Sequence, residues 1–466
     1  MQYRSTRGQR TCSFLGSFLE GLAKDGGLFL PVSLPVFDEK RIRSFAKMKF
    51  TELAFELIKV FVDGEIPDDD LMAIVTRSFA TFQHEEVTPT KHVSHDLSIL
   101  ELFHGPTLAF KDVALQLIGN LYEYVAQKQQ VAINILAATS GDTGAAAIYG
   151  VRGKKGISIC VLYPYGKISP IQERQMVAVT DENVKTLAIE GNFDDCQRMV
   201  KQLFSDEKAR DQLSLRAVNS INFVRIIVQM VYYFYAYGQS KQSETLSGLS
   251  FSVPTGNFGN IFSAYLAKRM GLPIDRLILA TNANDILARF VATGIYKPHD
   301  FKTTYSPAMD IQVASNFERY LFYLYGEDSQ RLTAFMDDFD HTGKLVVDAD
   351  RLRQVQQDFV AYSVDDATCL QTIQHVQKEH DYLLDPHTAC AVAAYEKARQ
   401  HDQVVTPILC LATAHPIKFP DAMQKVGAKA KEPDAIAHLH NLSYHVEPMA
   451  QDLAVLQDKL KTFFAY

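Results

Sequence analysis

The hydrophobic and polar positions change their rhythm near residue 96. Before it, amphipathic helical stretches dominate. FTELAFELIKVFV (50–62) sets apolar residues on one helical face, and EIPDDDL (65–71) supplies a turn and an acidic helix start. After it, short β-branched runs alternate with helical patterns. VAINILAA (131–138), ISICVLYP (157–164), VKTLAIEG (184–191), LSFSVP (249–254), RLILATN (276–282) and VVTPILCLAT (404–413) read as buried parallel strands. Helices are predicted at 112–126, where Val113, Leu117, Leu121 and Val125 form one stripe, and at 194–204, with Val200, Leu203 and Phe204 inward. Two more are predicted at 221–237 and at 260–269, the last ending at Gly271. Strands alternating with helices predict an α/β fold with doubly wound, mainly parallel sheets, preceded by an α-rich N-terminal unit over 1–95. Ligands in such sheets sit at the carboxyl ends of the strands.

The loops that follow the strands are therefore the places to look for chemistry. Strand 249–254 runs into Thr255-Gly256-Asn257-Phe258-Gly259-Asn260 and then a helix. Two close glycines and the unpaired N–H groups of a helix start suit a phosphate, although the same pattern serves an ordinary strand-to-helix turn. The loop is neither GxGxxG nor a Walker loop. Strand 131–138 runs into Thr139-Ser140-Gly141-Asp142-Thr143-Gly144, which suits a carboxylate ligand or simply a capped helix. Lys111 follows the apolar trio Leu108-Ala109-Phe110, where a core-facing residue is expected. A lysine there either snorkels or sits in an apolar pocket, where desolvation favours the neutral, nucleophilic amine. Arg225, in the apolar run FVRIIVQMVYYF, either snorkels to solvent or faces an anion.

Composition narrows the function classes. The 466 residues carry a formal charge of -7 with both signs interspersed, and no basic run offers a nucleic-acid or membrane footprint. No apolar stretch approaches the ~20 residues that span a bilayer, and no apolar segment follows the basic N-terminus MQYRSTRGQR. A cytoplasmic protein is expected. Six cysteines without a CxxC pair read as buried reduced thiols. His438, His440 and His445 match no closed zinc pattern and read as solvated, so no metal is expected. His387 and His415 lie near predicted strand ends, as candidates to line a pocket.

Five motifs, in this order and spacing, resemble the threonine synthase family of fold-type II pyridoxal-phosphate enzymes, the tryptophan synthase β-like class. They are ELFHGPTLAFKD (101–112), ATSGDTGAA (138–146), NSINFVR (219–225), PTGNFGN (254–260) and TAHP (413–416). The likeness runs from GGLFLP (26–31) to TAHP. It implies an N-terminal domain over 1–95, a large cofactor domain over 96–115 and 216–466, and a smaller α/β domain over 116–215 carrying SGDTG.

The resemblance also implies roles. Lys111 is the catalytic residue and holds pyridoxal 5'-phosphate as a Schiff base. Gly256, Asn257, Phe258, Gly259 and Asn260 wrap the cofactor phosphate, and Thr413 faces its ring nitrogen. Ser140 and Thr143 hold the substrate carboxylate, while Asn219, Ser220 and Arg225 hold the substrate phosphate. Asp142 stands where many relatives in the class place an Asn against the cofactor's 3'-oxygen. An ionised carboxylate only accepts hydrogen bonds, so that contact is not carried over. The implied reaction turns O-phospho-L-homoserine and water into L-threonine and phosphate, in a monomer or a homodimer. The alternatives are a hydroxyamino-acid dehydratase or phospho-lyase of the same fold, and a non-catalytic homologue.

Overall fold

The computed structural model describes residues 1–216, 220–402 and 404–464. The chain divides into two compact units. The first comprises 1–71, 84–103 and 220–430; the second comprises 72–83, 104–219 and 431–466.

The first unit is built on a six-stranded sheet. Its spatial order is Phe359–Ser363, Ile274–Thr281, Leu249–Pro254, Ile408–Ala412, Ser98–Glu101 and Thr90–His92. Every pairing is parallel except the last, where Thr90–His92 runs antiparallel along the edge. The central strand Leu249–Pro254 is buried along its whole length, as a strand covered on both faces must be. Helix Pro386–His401 packs over it and helix Asp366–His380 packs on that helix, with Cys369, Ile373, Cys390 and Val392 in the core. Helix Phe50–Val62 forms where the apolar face predicts it. Helix Phe223–Gln239 is buried almost throughout, because both its faces are covered.

The second unit carries a five-stranded, wholly parallel sheet in the order Pro448–Met449, Val184–Ile189, Ile157–Pro164, Ile133–Ala138 and Leu215–Arg216. Helix Lys111–Gln129 and helix Asp142–Val151 pack backbone to backbone at a pair of glycines. A Cβ on Gly119 would lie 1.8 Å from the Gly150 carbonyl oxygen, and one on Gly150 would lie 2.4 Å from that of Leu115.

Several expectations need correction. Helix Lys111–Gln129 belongs wholly to the second unit, although 96–115 was expected in the large domain. The stretch 431–466 also belongs to the second unit and not with 216–430. Met449, Leu456 and Leu460 bury against Leu187, Ile189 and Met199, which closes that core. The N-terminal segment 1–95 is shared, since 72–83 lies with the second unit. On helix Phe193–Ser205 the fully buried side chains are Cys196, Met199 and Leu203, while Val200 and Phe204 sit at the rim of the core. Strands Ser98–Glu101 and Phe359–Ser363 were not foreseen. Among the described residues, no helix is long and apolar enough to cross a membrane, no cluster of His, Cys, Asp and Glu could hold a metal, and all six cysteines are free.

Candidate functional site

In the second unit the chemistry gathers at two helix starts. Lys111 opens helix Lys111–Gln129 and Asp142 opens helix Asp142–Val151, so the glycine contact between these helices fixes one against the other. Lys111 Nζ donates to Asp142 Oδ2 at 3.3 Å and lies 5.0 Å from the Phe110 ring centre. Both side chains are close to fully buried, at 11% and 8% exposure, so Lys111 does not snorkel. Asp142 Oδ1 accepts from Gln172 Nε2 at 2.9 Å, and Gln172 is itself oriented by the Ser169 N–H at its Oε1. Asp142 thus accepts from both directions, as an ionised carboxylate does.

The hydroxyl that caps helix Asp142–Val151 is that of Thr139. Its Oγ1 accepts from Gly141 N at 3.0 Å and from Gly144 N at 2.8 Å. Ser140 is exposed and Thr143 half-buried, and neither takes part in that capping. Both hydroxyls flank a positive helix end, an arrangement suited to a carboxylate.

In the first unit the loop after Leu249–Pro254 is bonded and packed into the surrounding protein. Thr255 N donates to Ala280 O at 2.8 Å. Gly256 leaves no room for a side chain, since a Cβ there would lie 2.6 Å from Ala308 O. Phe258 takes φ 65° and turns its ring into a cluster with Phe317 and Phe359, so only its backbone can serve a ligand. Helix Gly259–Arg269 starts without a side-chain cap. Both asparagines point their amide oxygens into the protein. Asn257 Oδ1 accepts from Ser315 Oγ at 3.1 Å, and Asn260 Oδ1 accepts from the hydroxyls of Tyr232 and Tyr233. The Nδ2 of Asn260 is buried without a hydrogen-bond partner. An uncapped helix start, a glycine cradle and a buried orphan donor together fit a phosphate group, and pyridoxal phosphate supplies one.

Thr413 follows strand Ile408–Ala412 and is buried; the turn after it is capped by His415 Nδ1, which accepts from Ile417 N at 3.3 Å. His387 sits in the first turn of helix Pro386–His401 and not at a strand end. There its ring pairs with Asp385 Oδ1 at 2.8 Å and accepts from Ala308 N at 3.2 Å, behind Gly256.

Asn219 lies outside the described residues. Ser220 and Arg225 flank Asn222, which caps helix Phe223–Gln239 by accepting from Val224 N. Arg225 is only 4% exposed, which removes the snorkelling alternative. Burial pushes its guanidinium down to about 10, with Tyr232 acting the other way.

Sequence reasoning missed the residues that join these two loops. Ser315 Oγ lies 2.8 Å from Ser220 Oγ as well as 3.1 Å from Asn257 Oδ1. Asn316 Nδ2 donates to the carbonyls of Ser220 and Asn257 at 3.1 and 3.2 Å. Arg319, fully buried and pushed down to about 9 by that burial, donates to Asn316 Oδ1, Ile221 O and Phe29 O. A cation inside the apolar run FERYLFYL was the available signal, of the same kind as Arg225.

Comparison with known proteins agrees with this arrangement. Residues 2–79 match the family "Threonine synthase N terminus", 82–413 "Pyridoxal-phosphate dependent enzyme", and 388–459 "Threonine synthase, C-terminal". Threonine synthase of Saccharomyces cerevisiae is 42% identical over 98% of this chain and 94% of its own length. That of Pseudomonas aeruginosa is 44% identical over 95% of this chain and 93% of its own. The crystal structure of pyridoxal-phosphate-bound threonine synthase from Brucella melitensis superposes with a TM-score of 0.96 at 41% identity, covering all of both chains. The chain belongs to the threonine synthase family of pyridoxal-phosphate-dependent enzymes.

Proposed function

We propose that the protein converts O-phospho-L-homoserine and water into L-threonine and phosphate in the cytoplasm, as a monomer or a homodimer. The observation that carries the substrate reading is Arg225, a buried cation in the first turn of a helix, next to the Ser220 segment. A dehydratase of the same fold has no substrate phosphate for it to hold. The reducing compartment rests on six free cysteines, five of them buried.

Pyridoxal phosphate, when bound, supplies the electron sink that makes the substrate's carbon-bound protons removable. The chain supplies the rest. In the first unit, the backbone N–H groups of Gly256–Asn260 and the amide donors of Asn257 and Asn260 would hold the cofactor phosphate, and Thr413 would supply a hydroxyl to its ring nitrogen. The hydroxyl there is a weaker partner for a charged ring than a carboxylate. Ser220 and Arg225, with Asn219, hold the substrate phosphate and release it. In the second unit, Ser140 and Thr143 hold the substrate carboxylate at a helix start. Lys111 Nζ anchors the cofactor and, once free, takes the α-proton and then a β-proton. An amine that donates to Asp142 turns its lone pair away from that carboxylate, which orients the base.

The test is phosphate release from O-phospho-L-homoserine, followed with the visible absorbance of the cofactor. Lys111→Ala is expected to abolish both while the fold persists. A borohydride-reducible cofactor adduct remaining on another lysine sinks the assignment.

A further inference from the structure

Asn260 has an orientation that its own position does not dictate. It is the second residue of helix Gly259–Arg269 and is 93% buried, taken from its 7% exposure. One end of its amide meets two hydroxyls, Tyr232 at 2.5 Å and Tyr233 at 2.7 Å, while the other end has no partner. Those lengths are typical of O–H···O bonds; a hydrogen bond from an amide N–H is usually about 2.9–3.0 Å. The end facing the tyrosines is therefore the carbonyl oxygen, and the orphan end is the donor. The hydroxyl hydrogens agree. Each phenol is fully buried and must place its proton on an acceptor, and Asn260 provides one through Oδ1 and, for Tyr233, through its backbone oxygen at 3.2 Å as well. Burial holds both phenols well above their usual range, so they remain donors throughout the working pH range.

We propose that Tyr232 and Tyr233 are positioning residues for the cofactor phosphate: they clamp the Asn260 carbonyl so that its Nδ2 can only be presented outward, as a donor to an anion. This rests on the reading of the Gly256–Asn260 loop as the phosphate cradle. An unclamped amide can turn over about its last torsion, which is broad and roughly two-fold. It would then offer oxygen where the dianion sits. Two adjacent tyrosines on one helix turn, both spent on a single acceptor, remove that alternative. The pair also explains why Tyr232 and Tyr233 keep fully buried hydroxyls inside helix Phe223–Gln239.

The test uses full-length apoenzyme and compares pyridoxal phosphate with pyridoxal, which lacks the phosphate. Affinities are measured by absorbance titration for the wild type, Tyr232→Phe, Tyr233→Phe, the double variant and Asn260→Ala. The double variant is expected to bind pyridoxal phosphate roughly ten- to a hundredfold more weakly, the scale of one hydrogen bond to a charged group. Its pyridoxal affinity should stay within about threefold of the wild type. In an Asn260→Ala background the tyrosine changes should add nothing further. Equal losses for both ligands mean that the tyrosines merely pack, and overturn the clamp. So does an unchanged double variant beside a weakened Asn260→Ala. If Asn260→Ala itself keeps full affinity, the phosphate-cradle reading fails and the clamp fails with it. The single variants, each keeping one hydroxyl, decide the matter if the double variant does not fold: a loss specific to pyridoxal phosphate supports the clamp, and equal losses for both ligands refute it.

Discussion

Replacing Arg225 with alanine separates the phospho-substrate from its rivals. Arg225 is 4% exposed, and burial pushes its guanidinium down to about 10. An anion brought beside it offsets that cost, so most of its attraction for a phosphate goes unscreened by water. Removing one member of a desolvated charge pair costs ~2–5 kcal/mol. At ~1.4 kcal/mol per decade this is roughly a thirtyfold to few-thousandfold fall in kcat/KM on O-phospho-L-homoserine. Inorganic phosphate gives a second readout. It should raise the melting temperature of the wild type, by an amount that grows with the logarithm of its concentration above its Kd, and leave Arg225→Ala nearly unmoved. The affinity should also weaken as pH rises through about 10, where the folded-state guanidinium loses its charge. The unfolded chain still holds that proton there, so the protein's intrinsic stability gains over the same interval. The cofactor spectrum should be unchanged. An effect under about threefold refutes the reasoning, and a loss of cofactor affinity with normal substrate saturation reassigns Arg225 to the cofactor's side.

Two further perturbations probe the supports of each unit. Asn316→Ala leaves the Ser220 carbonyl and one arm of the buried Arg319 without their partner, each at a cost of ~1–3 kcal/mol. Affinity for inorganic phosphate and for pyridoxal phosphate should fall together, about tenfold each, and a change in only one of them would show that the bridge does not serve both loops. Gly119→Ala places a Cβ 1.8 Å from Gly150 O and must pry two helices apart. Overpacking of ~1–3 kcal/mol should lower the melting temperature, and turnover should fall because Lys111 and Asp142 open those helices; unaltered stability and turnover would contradict the close approach.

The parts of this fold that were legible in the sequence are those written in local periodicity. ISICVLYP and LSFSVP are strands at the very residues their apolar runs mark. Strands Ser98–Glu101 and Phe359–Ser363 escaped because four or five residues with a single β-branched position, Ile99 or Val360, do not stand out from a loop. Their pairing with Ile408–Ala412 and Ile274–Thr281 is what makes them strands. The motifs drew attention to Lys111, the glycine loop and Arg225, but not to what holds them. Ser315, Asn316 and Arg319 act across distances of about a hundred residues on Ser220 and Ile221, and no local pattern encodes that. The direction in which the Asn260 amide faces is likewise set by Tyr232 and Tyr233 on another helix.

The sheet of the second unit is closed by a strand made very late. Pro448–Met449 pairs with Ala188 and Ile189, and until it has been synthesised that edge of Val184–Ile189 keeps a row of unpaired backbone groups. A nascent chain that has already produced the other four strands therefore carries an open β-edge through the synthesis of more than two hundred residues. Such an edge is a template for pairing with another copy. The charged Lys185 on this strand, ion-paired with Glu447 once the late segment arrives, gives the waiting edge a residue that discourages strand addition and then welcomes the correct one. The length of that exposure is set by the time between the synthesis of Ile189 and of Met449, and slower translation of the intervening stretch lengthens it.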